Sequence, residues 1–269
     1  MSKAYVMAKE YSSLLPEIEG FKVKPGSIAL WSIGGPGFVL KTARALIYID
    51  PYFGGDAAPD WRRLIPVPID VNAIRKVDLV VSTHEHGDHA DPGTFKPIMK
   101  DTKAKVIGPS SSVDLLAGSG ISKDKLVAVK AGESYQVGDV KVTAFEANDP
   151  GAKGALMFLY EAGAVNYFHA GDTLYTTKFA EYGAKNRIDI ACLSLGRNPP
   201  QHEIYMNPCH VVQAAMSLNA KVTIPMHWDL WSFVREDPTL VHFMAEKWGY
   251  KGTVKIMKLG ERLDYRGVS

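Results

Sequence analysis

Apolar residues in this chain come in short alternating or continuous runs broken by glycine-rich turns, and amphipathic stretches enter only after several such runs. Residues 1–26 are punctuated by Pro16, Gly20, Pro25 and Gly26 and read as an irregular or partly helical arm. The runs 27–33, 38–40 and 45–49 predict a β-meander, its first turn being Gly34-Gly35-Pro36-Gly37. The third strand delivers Asp50 at its C-terminal end. Residues 51–69 carry Pro59, Pro66, Pro68, Trp61 and two glycines and read as a long loop, a class more often functional than idle.

After a strand at 77–82 the pattern alternates. It predicts a helix over 92–100, a strand at 105–107, a helix over 111–116 and a strand at 126–129. Hairpins follow at 135–137 with 140–145, turning at Gly138-Asp139, and at 156–160 with 165–169. A helix over 174–182, a strand at 188–193 and a loop over 196–206 come next. Asn207-Pro208 supplies an N-cap and a proline at the first helical position of a helix running to Leu218. A strand at 222–224, a helix over 238–248 and closing strands at 253–257 and 262–265 complete the chain. Each half is thus hairpin-rich and turns to α/β at its end. Two such halves predict sheet stacked on sheet with helices outside, an α/β (α+β) fold of four layers, αββα. No clear linker divides it, so one domain spanning 1–269 is expected, with 1–26 as its arm.

Candidate chemistry concentrates in Thr83-His84-Glu85-His86-Gly87-Asp88-His89, directly after the apolar strand. Residues two apart in an extended segment project to one side, so His84 and His86 can point at one metal ion. If a helix begins near 88–92, Asp88 and His89 sit at its first turn and can face a second ion. Imidazole and carboxylate suit zinc, manganese or iron. Two further segments follow strands: His169-Ala170-Gly171-Asp172-Thr173, whose Asp172 could reach one ion or bridge two, and Pro225-Met226-His227-Trp228-Asp229, which offers His227. Alone, Gly-Asp-Thr is an ordinary helix cap and His227 a core histidine; beside the first motif both become ligand candidates.

Composition narrows the partners. Lys and Arg number 31 against 29 Asp and Glu, a formal charge of +2, which makes no electrostatic case for nucleic acid or a membrane surface. Two cysteines, Cys192 and Cys209, offer neither a disulfide framework nor CxxC and suit a reducing cytoplasm. No apolar run approaches a membrane span, and the N-terminus lacks a signal peptide's apolar core. A cytoplasmic protein, open to homo-oligomerisation and acting on a small molecule, is expected.

The series His84-x-His86-x-Asp88-His89, Gly171-Asp172 and His227 resembles the ligand series of the metallo-β-lactamase superfamily. Within it the chain resembles the L-ascorbate-6-phosphate lactonase family over roughly 27–240, through Ile47-Tyr-Ile-Asp50, Ala73-Ile-Arg-Lys-Val-Asp78, Ile107-Gly-Pro-Ser110, Val113-Asp-Leu-Leu116, Leu218-Asn-Ala-Lys-Val222, Ile224-Pro-Met-His227 and Asp229-Leu-Trp-Ser232. The resemblance implies an αββα sandwich with metals at one edge between the sheets. It implies His84 and His86 on one ion, Asp88, His89 and His227 on the other, Asp172 between them, and one or two ions of manganese or zinc. Where the superfamily usually carries a further histidine this chain has Asn148-Asp149-Pro150, so Asp149 is the candidate substitute, hardening the site toward manganese. The oxygen-reducing di-iron members have glutamate where this chain has His86.

The expected chemistry is metal-assisted hydrolysis, with Asp88 or Asp172 orienting the nucleophile and accepting its proton. Asp50 and Asp229 are candidates to hold ligand histidines from behind. Arg197, Asn198, His202, Tyr205 and Lys153 lie on loops that could face the pocket, and a cation among them could hold a substrate phosphate. Three readings stand: a lactone or ester hydrolase acting on a sugar acid phosphate, a phosphodiesterase or nuclease using the same metals, and a non-catalytic metal-binding regulator.

Overall fold

The structure, a computed structural model, describes residues 9–57, 61–198 and 203–267. Its strands form two seven-stranded mixed sheets. In the first, β1 (Ser27–Gly34), β2 (Gly37–Lys41) and β3 (Leu46–Ile49) are an antiparallel meander, extended in parallel by β4 (Leu79–Val81), β5 (Lys105–Gly108) and β6 (Leu126–Ala128). In the second, β7 (Ser134–Val137), β8 (Val140–Glu146), β9 (Leu156–Ala162) and β10 (Val165–His169) are antiparallel. They continue in parallel through β11 (Ile190–Ser194), β12 (Val222–Met226) and β13 (Thr253–Val254). The repeated order expected from the sequence, hairpins and then α/β, is the observed topology.

Side-chain alternation sorts the first sheet's residues into two cores. Ile28, Leu30, Phe38, Leu40, Ile47, Ile49, Leu79, Val81 and Ile107 face the second sheet. Ala29, Trp31, Val39, Leu46, Tyr48, Val80 and Val106 pack with α1 (Leu14–Gly20), α2 (Pro92–Lys100) and α3 (Ser110–Gly118). On the far side, α4 (Lys178–Lys185), α5 (Pro208–Ser217) and α6 (Thr239–Lys247) cover the second sheet through Phe179, Val211, Val212, Ala215, Val241 and Ala245. The layers run helix, sheet, sheet, helix. No helix among the described residues is long and apolar enough to cross a membrane.

Helix starts follow the capping chemistry. The Asp91 side chain accepts from Gly93 N ahead of Pro92, and Asn207 accepts from His210 N ahead of Pro208. Two expectations are corrected. The helix over 174–182 begins only at Lys178, because Thr173 N is drawn to Ser194 Oγ at 3.4 Å and Leu174 N to Asn148 O at 2.9 Å, bonds that lead away from a helix. The strand expected at 253–257 ends already at Val254. β13 ends the second sheet, whereas β14 (Arg262–Arg266) crosses to the first and pairs with β1.

Asp50 follows β3, the histidine motif follows β4, residues 147–151 follow β8, Asp172 follows β10 and His227 follows β12. The ends of five strands from both sheets therefore meet at one rim, with rigid elements behind them.

Behind the second sheet, Gly183 lets α4 approach the end of α5, since a Cβ there would lie 2.4 Å from Ser217 O. Gly183→Ala is expected to destabilise the protein by about 1–3 kcal/mol through overpacking, read as a lower urea midpoint at unchanged slope. An unchanged midpoint would show that the helices separate freely.

Candidate metal centre

The motif after β4 folds back on itself. His89 N and Ala90 N both donate to His86 O at 2.9 Å, closing a turn that brings residues 84, 86, 88 and 89 to one side. The first turn of a helix does not present Asp88 and His89, as the sequence had suggested; α2 starts later, at Pro92. From the opposite sheet, Gly171 brings Asp172 in against Thr83. Its φ is +56°, and a Cβ on it would lie 2.7 Å from Thr83 Cβ, so a larger residue is excluded.

Seven side chains converge there in three overlapping groups: His84, His86 and Asp149; His84, His89 and Asp172; and Asp88, His89 and His227. His84 Nε2 lies 2.9 Å from His86 Nδ1 and 3.8 Å from Asp149 Oδ2. His89 Nε2 lies 3.4 Å from Asp172 Oδ2 and 3.8 Å from Asp88 Oδ1. His227 Nε2 lies 3.2 Å from Asp88 Oδ2 and 3.6 Å from Asp172 Oδ1. Asp172 thus stands between the two outer groups.

Buried polar atoms without partners test whether such a set fits a cation. His89 Nε2, Asp149 Oδ2, Asp172 Oδ1 and His227 Nε2 are all buried and make no hydrogen bond. Leaving one such atom unsatisfied costs about 1–3 kcal/mol, and these four, spread over the three overlapping groups, are what divalent ions would satisfy. The donor set of imidazoles and carboxylates suits zinc, manganese or iron.

Electrostatics point the same way. Burial pushes the His84 imidazole well below its ordinary value, helped by the His89 charge, so it stays neutral. Burial alone would lower His89 too, but the Asp172, Asp50 and Asp88 charges outweigh it and hold His89 well above. His227 is likewise raised, against burial, by Asp172 and Asp88. Burial opposes ionisation of Asp88, yet His89, His227 and the Trp231 indole hold it well below the carboxylate range. Asp172 is lowered to about 2, His227 and His89 overcoming burial. Asp149 is raised, chiefly by burial.

A surrounding layer orients these groups. Asp50 accepts from Thr83 N at 2.8 Å, from Thr83 Oγ1 at 2.7 Å and from His89 Nδ1 at 2.8 Å. A proton on Nδ1 turns Nε2 of His89 toward the centre. Thr83 Oγ1 also lies 3.1 Å from His84 Nδ1, doing the same for that ring. Glu85, inside the motif but pointing away, accepts from Lys153 N and from Ser111 Oγ and so pins the loop that carries Asp149. Asp50 and His227 both hold positive φ, 42° and 70°, a strained conformation for residues other than glycine.

Several expected residues fall elsewhere. Asp229 does not hold a ligand histidine: it accepts from Gly35 N at 3.0 Å, while His227 Nδ1 has no partner. It acts on the turn whose Gly35 O receives His227 N. Asn198 does not face a pocket either. Its amide oxygen accepts from Ile204 N and Tyr205 N and its nitrogen donates to Tyr205 O, so the side chain is spent closing the loop. Tyr205 is buried with its ring 4.9 Å from His227 and its hydroxyl against Asp172. Arg197 is exposed, Lys153 is exposed, and His202 lies outside the described residues. His169 stays clear of the centre, its Nε2 donating to Pro36 O and its Nδ1 accepting from Gly171 N. Trp231 was not among the site residues expected from the sequence. Its indole donates to Asp88 Oδ2 at 2.6 Å across a separation of 143 residues, for which no local signal exists.

A family model described as "Beta-lactamase superfamily domain" matches residues 46–228. The chain therefore belongs to the metallo-β-lactamase superfamily, and it is a metal-dependent hydrolase of that fold. It is 30% identical to a probable L-ascorbate-6-phosphate lactonase of Salmonella heidelberg (strain SL476), over 89% of this chain and 82% of the relative. Among solved structures it is similar to a metallo hydrolase from the archaeon Ignicoccus hospitalis (TM-score 0.71, 20% identity, 89% of this chain and 99% of that one). It is also similar to an isothiocyanate hydrolase from Delia radicum gut bacteria (TM-score 0.75, 18% identity, 89% and 100%). At those identities the two structures speak to the fold alone.

Because the Asp172, Asp50 and Asp88 charges hold His89 well above the ordinary imidazole range, a divalent ion that takes its Nε2 is expected to release protons on binding near pH 7 and to bind more weakly as pH falls. Calorimetry in buffers of differing ionisation enthalpy measures this, and release of no protons would contradict the assignment. Asp50→Asn should weaken divalent-ion affinity about 10–100-fold with the fold retained, read by chelator competition; unchanged affinity would remove Asp50 from the site.

Proposed function

We propose that this protein opens the lactone ring of a sugar acid phosphate by hydrolysis. The observation that carries the hydrolytic part is the convergence of unpartnered, buried imidazole and carboxylate atoms at the rim where the sheets meet. The lactone part is supported by similarity to lactonases over most of both chains. His84, His86 and Asp149 would hold one ion, Asp88, His89 and His227 a second, with Asp172 between; manganese suits the carboxylate-rich set and zinc the imidazoles. Such an ion, when bound, lowers the pKa of water and polarises the scissile carbonyl.

The chain's own groups handle orientation and protons. Asp88 and Asp172 orient the attacking water and accept its proton. A carboxyl held to about 2 is a weak base, so Asp172 passes that proton on and does not store it. The Tyr205 hydroxyl, kept protonated by burial and by the Asp172 and Asp88 charges, can donate to the ring oxygen as the acyl C–O bond breaks. Water's hydroxyl ends on the acyl carbon and its proton replaces the one given to the ring oxygen. Arg197 lines a cavity of about 690 Å³ with Arg235, Lys258 and Trp228, the residue after His227. Those three cations, offset in part by Glu236 and Asp237, are a candidate seat for the phosphate.

The deciding experiment offers the manganese-loaded protein L-ascorbate 6-phosphate and bis(p-nitrophenyl) phosphate side by side. Lactone opening without diester cleavage is expected, abolished in His86→Ala and Asp172→Ala while circular dichroism stays unchanged. Diester cleavage alone would keep the metal chemistry and discard the substrate; activity in both variants would overturn the site.

A further inference from the structure

Trp231 sits four residues after His227, in a short stretch held by main-chain bonds to the early loop. Leu64 N donates to Leu230 O at 2.8 Å, Ser232 N donates to Arg62 O at 2.9 Å, and Arg63 bridges to Trp231 itself. These bonds fix the backbone on both sides of the tryptophan. The indole is 1% exposed and is boxed in by Tyr52, 5.5 Å away between ring centroids, and by Trp61, edge-on at 6.0 Å. Tyr52 is itself fixed, its hydroxyl donating to Gly55 O at 2.7 Å and the Arg63 guanidinium lying 5.4 Å over its ring. The ring has little freedom to turn.

The one polar atom of this ring meets Asp88 Oδ2 at 2.6 Å. An indole N–H donates and never accepts, and it does not titrate, so its partner is a carboxylate oxygen at every working pH. A hydrogen bond to an ionised acceptor is among the stronger ones. With Oδ2 tied, rotation of the carboxylate is fixed and Oδ1 is left facing His89 Nε2.

We propose that Trp231 is a positioning residue: its indole N–H sets the orientation of the Asp88 carboxylate and thereby the affinity of the position formed by Asp88, His89 and His227. The proposal rests on the reading that these residues hold a divalent ion, and it is independent of which ester that ion serves. Trp231→Phe removes the N–H and keeps an aromatic ring in the box. Cobalt is added to metal-free protein, with affinity taken from chelator competition and geometry from the visible absorption of the bound ion.

The variant is expected to bind about 10–100-fold more weakly, with an altered visible spectrum and an unchanged far-ultraviolet circular dichroism spectrum. In an Asp88→Asn background the same change should cost no more than about twofold, because the acceptor it served has lost its charge. Affinity and spectrum equal to wild type would overturn the proposal. So would an equal loss in both backgrounds, which would assign Trp231 to packing alone. Absence of lactone turnover with these effects intact would discard the substrate and leave Trp231 in place; a wild-type protein that binds no divalent ion would overturn both.

Discussion

The Asp50 carboxylate is the contact on which the rim depends. It is fully buried, it follows directly on β3, and it gathers Thr83 N, Thr83 Oγ1 and His89 Nδ1. Burying a carboxylate is costly unless it is hydrogen-bonded and paired, and here the three donors all belong to the segment that carries the histidines. Satisfying Asp50 therefore requires the motif after β4 to fold in one way. That single requirement sets the tautomer of His89 and, through Thr83, steadies His84.

A second constraint comes from the β1–β2 turn. Gly35 O takes His227 N, Gly35 N gives to Asp229 Oδ1, and Pro36 O takes the imidazole of His169, whose other nitrogen holds Gly171 N. A turn of the first sheet thus fixes the strand ends of the second that bear Asp172 and His227. The two sheets share one large apolar core, and these polar clasps at its edge set the relative position of their ends. Positive φ at Asp50 and His227 is the backbone strain that such over-determined positions tolerate.

Charge balance explains why the rim holds together before any cation is considered. Asp88 and Asp172 are lowered by His89 and His227, and those imidazoles are raised by the same carboxylates. His84 and Asp149, on the other side, are pushed toward their neutral forms, mainly by burial. The two halves of the centre consequently differ in character: in one, carboxylates and imidazoles support each other's charge, and in the other, burial opposes charge and leaves a carboxylate oxygen unpartnered.

Much of this was legible in the order of residues. Alternating and continuous apolar runs identify the strands because their period is a local property of extended backbone, and Asn207-Pro208 marks a helix start because capping is satisfied within one turn. The ligand candidates stand out because four coordinating groups fall within six positions at a strand's end. Other features had no local trace. The start of α4 was displaced by a bond from Leu174 to Asn148, Asp229 and Asn198 were claimed by backbone groups, and β14 and β13 joined different sheets. By itself the sequence determined which elements form and which side chains can bind a cation, since both follow from short-range geometry and chemical type. Only the tertiary structure decided which atoms meet, that Trp231 reaches Asp88 and that Asp50 governs His89, because hydrogen bonds between residues tens to more than a hundred positions apart depend on how the two sheets bring their ends together.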